Sequence, residues 1–342
     1  MKIVHVVAGI EANNGAAVTA TSLAREEVKL GHDVSLITTN DNRKISNVNT
    51  EGITLYSYPR SLGGLACLSL KLLVGLRKII QGADLVRTHC EWTFPVWWAV
   101  RCAEQSGVEV VMRPAGSFDP VRLAHSRWKK KVVAGIERWC LRHAAAVHVT
   151  CDNEAEWVNA YEPKVKKVFV VPNGVSVPPR ETMPSNQEPI GRLRLLYLGR
   201  RHPLKGLDLL EKAVAGMDEG SRPELRIESS IFGEEKEAAF KWCDVLILPS
   251  RSENFGLVVA EALARGKPVI TTKGTPWNRV VEQGCGWWVD VTAEALRDAI
   301  MECVNMPRSE LAKMGERGRV WMTQEYDWGM IAKRVLENCC AE

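Results

Sequence analysis

Apolar and polar positions alternate along the chain in blocks with two distinct periods. Short runs rich in Val, Ile and Leu recur at residues 3–8, 32–39, 53–58, 85–88, 108–112, 146–150 and 168–171. Runs of this length, bounded by Gly, Pro or Asn, predict buried strands. Between them lie amphipathic blocks at 17–30, 64–81, 92–107, 121–145 and 153–160, which predict helices. The pattern then stops. Residues 176–191 carry Pro178, Pro179, Pro184 and Pro189 and read as a linker. After it the pattern restarts, with strands at 193–198, 225–227, 245–248, 268–272 and 286–289 and helices between and after them. The tail from 309 to 340 is helical with a break near 325–328. Strands alternating with helices predict α/β architecture with parallel sheets covered on both faces. The expected division is 1–176 for a first domain and 177–327 for a second.

The most informative block is 244–274. Its apolar run ends abruptly at Pro249-Ser250, a polar turn follows, and a helix begins near Gly256. Ligands of α/β sheets bind where strand ends turn into helix N-termini. The free N–H groups and partial positive charge there suit a phosphate. Glu253 and Glu261 bracket this helix start. The loop after the strand at 193–198 carries Arg200 and Lys205. Two cations in one loop can neutralise a diphosphate, Arg with a planar fork and Lys as a point charge. Cations and the N–H groups around Phe255, Gly256 and Leu257 would take phosphates, and the carboxylates would take sugar or ribose hydroxyls.

Composition narrows the class. A chain of 342 residues suits two domains. Ten cysteines form no CxxC pair and no cluster at metal-ligand spacing; they read as free thiols in a reducing cytosol. No metal site is expected. The N-terminus reads as a strand and not a signal peptide. The block 65–80 is interrupted by Lys71, Arg77 and Lys78 and is too charged to span a membrane. Residues 1–176 hold 22 Lys+Arg against 16 Asp+Glu, an excess of six, whereas the remainder holds 23 against 25. This basicity is too diffuse for a nucleic-acid partner. It is locally dense from Arg122 to Arg142, with Arg127, Lys129, Lys130 and Lys131 beside Trp128. Two readings stand for that helix: an ordinary solvated face, or a surface that meets anionic lipid headgroups.

These residues resemble a family. The block from Glu253 to Glu261 is similar to the Glu-x7-Glu motif of the retaining glycosyltransferases of family four. Leu198-Gly-Arg200 with Lys205-Gly206 resembles their diphosphate loop, and Pro172-Asn-Gly-Val175 the end of their first domain. Gly15-Ala16 resembles their Gly-Gly first loop with the second Gly lost. The resemblance implies the GT-B fold, two Rossmann-like domains facing each other across a cleft, with the last helix (about 328–342) returning to the first domain. It implies a nucleotide-diphosphate sugar as donor substrate, no cofactor, and a saccharide or lipid-linked acceptor of cell-surface polysaccharide synthesis. By position, Glu253 would contact the transferred sugar, Glu261 the ribose, and Arg200 and Lys205 the leaving diphosphate in the role metal ions play elsewhere. Gly15, Ala16, His89 and Gly116 would line the acceptor site or the interdomain cleft. The expected location is cytoplasmic, peripheral on the inner face of a membrane.

The chain departs from the family pattern twice. The first-domain loop that often carries His reads Arg113-Pro-Ala-Gly116, and nothing assigns its role to His89 or His125. Lys205 and Glu253 are only 48 positions apart (253 − 205), so about 30 residues, one βα unit, are missing near 225–232. These departures leave a second reading open, a decayed transferase scaffold that binds nucleotide sugar or glycan. A nicotinamide oxidoreductase ranks behind both, because the first loop lacks GxGxxG.

Overall fold

The computed structural model describes residues 1–10, 15–40, 50–61, 66–124, 127–180 and 191–340, with the backbone alone at Arg127 and Cys340. The loop at 11–14, the predicted helix start at 64–65, His125, most of the linker (181–190) and residues 341–342 lie outside this description. The chain divides into two compact units, Met1–Asn173 with Trp328–Glu342, and Gly174–Asp327.

The first stretch runs β1 (Lys2–Val7), α1 (Gly15–Lys29), β2 (Asp33–Asn40), β3 (Thr54–Pro59), α2 (Leu70–Ile80), β4 (Leu85–His89), α3 (Phe94–Ser106), β5 (Glu109–Arg113), α4 (Pro120–Ala124), α5 (Arg127–His143), β6 (Ala146–Val149), α6 (Asp152–Tyr161) and β7 (Val168–Val170). The second runs β8 (Arg194–Leu198), α7 (Leu207–Ala215), β9 (Glu224–Glu228), α8 (Gly233–Trp242), β10 (Val245–Leu248), α9 (Leu257–Ala264), β11 (Val269–Thr272), α10 (Arg279–Glu282), β12 (Gly286–Val289), α11 (Ala293–Asn305) and α12 (Arg308–Glu325). The last helix, α13 (Trp328–Cys340), belongs to the first unit.

The first unit holds a parallel sheet of seven strands in the order β3-β2-β1-β4-β5-β6-β7. Successive residues of a strand point to opposite faces, so each strand supplies two packed layers. Val4, Val6, Val86, Met112 and Val147 form one, against Leu72 and Leu76 of α2, Val96 and Val100 of α3, and Leu141 of α5. Ile3, Leu85, Val111 and Phe169 form the other, against Leu23 of α1 and Trp328, Ile331 and Val335 of α13. Both faces are covered, which is why these strands read as continuous apolar runs.

The second unit holds a parallel sheet of five strands, β12-β11-β10-β8-β9. Leu196, Leu246 and Val269 pack toward Val259 and Leu263 of α9 and Trp321 of α12. Leu195, Val245, Ile247 and Ile270 pack toward Leu210 of α7 and Leu296 and Ile300 of α11. β9 is the edge strand on the side of the short segment, and its residues are half-exposed or exposed.

Three helix expectations need revision. The block expected at 64–81 begins as helix only at Leu70, where the Ser69 hydroxyl caps the Leu72 N–H. The block expected from Trp92 starts at Phe94, because Trp92 sits at φ +66° outside the helical region. The single helix expected at 121–145 is two, α4 and α5. No helix among the described residues is long and apolar enough to cross a membrane.

Candidate functional site

Two loops meet at the C-terminal ends of β8 and β10. The first, residues 199–206, closes with a short turn whose last residue is Gly206, at φ +66°. A Cβ at Gly206 would lie 1.9 Å from the Pro249 carbonyl oxygen of the second loop. Only glycine lets the two backbones come this close. Arg251 ties them further. Its guanidinium pairs with both Asp208 oxygens at 2.7 and 2.6 Å and donates to the Pro203 carbonyl at 2.8 Å. Its own N–H donates to the Leu204 carbonyl at 2.8 Å.

Within this frame the ammonium of Lys205 pairs with the Glu253 carboxylate, and the Ser250 hydroxyl lies 3.5 Å from the same oxygen. Lys205 is 20% exposed and Glu253 8%. Screening by water is therefore weaker than for a surface pair. Arg200 stands exposed in the same loop, its guanidinium without a partner among the described residues. Gly256, at φ +79°, precedes α9, and no side chain caps that helix. The Val259 N–H donates to the Gly256 carbonyl at 2.9 Å, which leaves the Leu257 and Val258 N–H groups at the start of α9 without intrahelical partners, and the helix dipole favours an anion there. Phe255 does not point outward. It is buried against Trp277 and Tyr326, with ring centroids 5.1 and 6.3 Å away, and its carbonyl accepts from the Trp277 indole. Its contribution to a phosphate site is confined to the backbone.

Glu261 lies one turn further along α9. Its Oε1 accepts from the Lys236 ammonium of α8 at 2.6 Å. Both carboxylates singled out in the sequence thus carry a lysine partner. Lys205 comes from the phosphate loop itself, and Lys236 comes from the segment after β9.

In the first unit Gly15 opens α1 and is exposed, with Ala16 half-buried beside it. His89 and Gly116 sit at the ends of β4 and β5, but neither is open. His89 is buried and shares a hydrogen bond with His5 (2.9 Å), which in turn meets Glu27 (2.6 Å). Burial, with the cations around it, holds the His89 imidazole well below its ordinary range, so it is neutral at pH 7. Burial alone would raise the Glu27 carboxyl, but Arg87 and His5 hold it below the ordinary value. The Gly116 N–H donates to Glu154, which also takes the Thr150 N–H and hydroxyl at 2.8 and 2.9 Å. His89 and Gly116 are both buried; His89 Nε2 and the Gly116 N–H are engaged within the unit, while His89 Nδ1 has no hydrogen-bond partner among the described residues. Cys90, Trp92 and Ala115, at φ +63°, +66° and +52°, concentrate backbone strain at these strand ends. Behind them lie Glu91 and Glu137, both buried; Glu137 accepts from the Trp97 indole at 2.7 Å and the Trp92 N–H at 3.2 Å.

The basic helix α5 divides into two sets. Lys130 turns inward, donating to the Arg122 carbonyl with its ammonium 5.6 Å from the Trp92 ring, so it leaves the proposed lipid-facing group. Lys129 and Lys131 are exposed, and Trp128, Val132 and Ile136, spaced at i, i+4 and i+8, form an apolar stripe 69%, 76% and 47% exposed. The Arg127 side chain lies outside the described residues. No group of metal-ligating side chains suited to a cation occurs among the described residues.

Two Rossmann-like units, one of them with an uncapped helix N-terminus beside a loop that carries Arg200, Arg201 and Lys205, give the chain a GT-B architecture. Residues 14–174 match a glycosyl transferase 4-like domain, and residues 227–321 match the glycosyl transferases group 1 domain. D-inositol 3-phosphate glycosyltransferase of Arthrobacter sp. (strain FB24) is 27% identical over 54% of this chain and 52% of its own length. Phosphatidyl-myo-inositol mannosyltransferase of Mycobacterium leprae (strain TN) is 28% identical over 48% of this chain and 51% of its own. The chain thus spans about half the length of the curated relatives it matches. Among solved structures, Anabaena HepE in complex with UDP and glucose superposes with a TM-score of 0.78 at 16% identity, over 99% of each chain. The two domain matches, these relatives and the shared fold support a GT-B glycosyltransferase of the family-four type.

Proposed function

We propose that this protein transfers a sugar from a nucleotide-diphosphate donor to a saccharide or lipid-linked acceptor in cell-surface polysaccharide synthesis, retaining anomeric configuration without a metal ion. The observation that carries this reading is the Lys205–Glu253 pair set beside Arg200 and the uncapped α9 N-terminus. The leaving group of such a reaction is a nucleoside diphosphate, whose negative charge grows as the glycosidic bond breaks. Two cations and a row of N–H groups fixed before the reaction stabilise that charge without reorganising. Lys205 would exchange part of its contact with Glu253 for a phosphate oxygen. Glu253, so released, would accept from a hydroxyl of the transferred sugar and hold the anomeric carbon toward the acceptor. Glu261 would accept from ribose hydroxyls. The UDP and glucose in the HepE structure support a nucleotide-sugar ligand for this fold.

The lipid named for the mycobacterial mannosyltransferase, with the exposed Trp128–Val132–Ile136 stripe and Lys129 and Lys131, supports an acceptor met at an anionic membrane surface. Retention of Glu253, Glu261, Arg200 and Lys205 favours an active enzyme over a decayed scaffold.

Calorimetry with UDP, GDP and ADP tests the reading. One of them is expected to bind saturably, and Lys205→Met is expected to weaken it at least tenfold. Absence of binding by all three would refute the proposal.

A further inference from the structure

Resting on the nucleotide-sugar reading, the geometry points to Lys236 as a positioning and specificity residue for the donor's ribose. Its ammonium lies 2.6 Å from Glu261 Oε1, and the two side chains are 24% and 21% exposed, so the pair is reachable from solvent. Lys236 has no other partner among the described residues, which leaves two of its three N–H donors open. The second oxygen of Glu261 is likewise uncommitted there.

A helix staple is the competing explanation, and the neighbouring contacts make it redundant. The next residue, Glu237, takes two hydrogen bonds from Arg265 at the end of α9, one of them 2.9 Å from Nε to Oε2. Ala239 and Phe240 of α8 are buried in the same core as Val259 and Leu263 of α9. These contacts already fix α8 on α9 without Lys236.

The chemistry of a vicinal diol accounts for what the staple does not. Each ribose hydroxyl can donate to a carboxylate while its oxygen still accepts. A carboxylate flanked by an ammonium offers both halves of that exchange, Glu261 accepting and Lys236 donating. The connection from β9 to α8 is only residues 229–232, and it delivers Lys236 from the second turn of α8 to this place. The short segment thus supplies a donor-site group from inside a helix.

The test is the dissociation constant of the preferred nucleoside diphosphate and of its 2′-deoxy and 3′-deoxy analogues, for the wild type, Lys236→Met and Lys236→Arg. The wild type is expected to favour the ribo form at least tenfold. K236M should weaken the ribo form about tenfold, as expected for loss of a charge-assisted hydrogen bond. The deoxy analogue that lacks the contacted hydroxyl should change less than twofold, so discrimination collapses; K236R should restore most of it. Melting temperatures measured alongside should shift little. If K236M weakens ribo and deoxy forms equally, or lowers the melting temperature with affinity intact, Lys236 is a staple and the inference fails alone. If the wild type binds no nucleoside diphosphate, the transferase reading fails with it.

Discussion

Replacing Gly206 with alanine probes how closely the phosphate loop must approach the loop that carries Glu253. Two costs add. A non-glycine residue at φ +66° loses about 1–2 kcal/mol. The new Cβ would also stand 1.9 Å from the Pro249 oxygen and 2.9 Å from its carbon, both backbone atoms. Ordinary contact begins near 3.4 Å, so the loops must separate by about 1.5 Å (3.4 − 1.9). Displacements of this kind in packed regions cost about 1–3 kcal/mol. The sum is about 2–5 kcal/mol. Gly233→Ala supplies the control in the same unit. Gly233 has φ +54° but nothing within 4 Å of its Cβ position, so it meets the first cost alone. In thermal melts, a unit of this size shifts by about 2–4 °C per kcal/mol. G206A should therefore melt about 2–12 °C below G233A. It should also bind nucleoside diphosphate more weakly, because Lys205 precedes Gly206 directly. Equal melting of the two variants would show that the loops are not held together as described.

Two further outcomes follow from the first unit. Burial, and then the Glu137 charge, raise the Glu91 carboxyl well above 4.5. A carboxyl whose folded value is raised binds its proton more tightly in the folded state, so stability falls as pH rises from about 4.5 toward that raised value. Glu91→Gln is expected to match the wild type in melting temperature near pH 4.5 and to exceed it increasingly toward pH 8, and an advantage independent of pH would contradict this. On α5, the triple variant Trp128→Ser, Val132→Ser, Ile136→Ser is expected to lose cosedimentation with phosphatidylglycerol vesicles while nucleotide binding in solution is unchanged; undiminished cosedimentation would remove the stripe from the membrane contact.

Legibility of this chain in its sequence tracks the range of the interactions involved. Val245–Leu248 and Val269–Thr272 were readable because an apolar run stopped by Pro249 or Lys273 is local information. The anion-friendly turn before Leu257 was readable for the same reason. The helix start at Trp92 was misjudged because its backbone is fixed by Glu137, 45 residues away. Lys130 looked like one more charge in a basic run, and only the placement of Trp92 and the Arg122 carbonyl turns it inward. Arg251–Asp208 and Lys236–Glu261 join residues 43 and 25 positions apart, and no periodicity reports such pairs. The Glu253 and Glu261 positions could be singled out, whereas the lysines that hold them depend on which loops the sheet brings together.

The return of α13 to the first unit also has a bearing on synthesis at the ribosome. Ile3, Leu85 and Val111 are laid down early, but Ile331 and Val335, which help cover them, are translated only after the second unit. Between Asn173 and Trp328 an entire second unit must be made. At about 5–20 residues per second, that interval leaves this sheet face covered by α1 but without α13 for roughly 8–30 s. The folding of the first unit is thus completed only after the second unit has been made, when α13 joins its sheet.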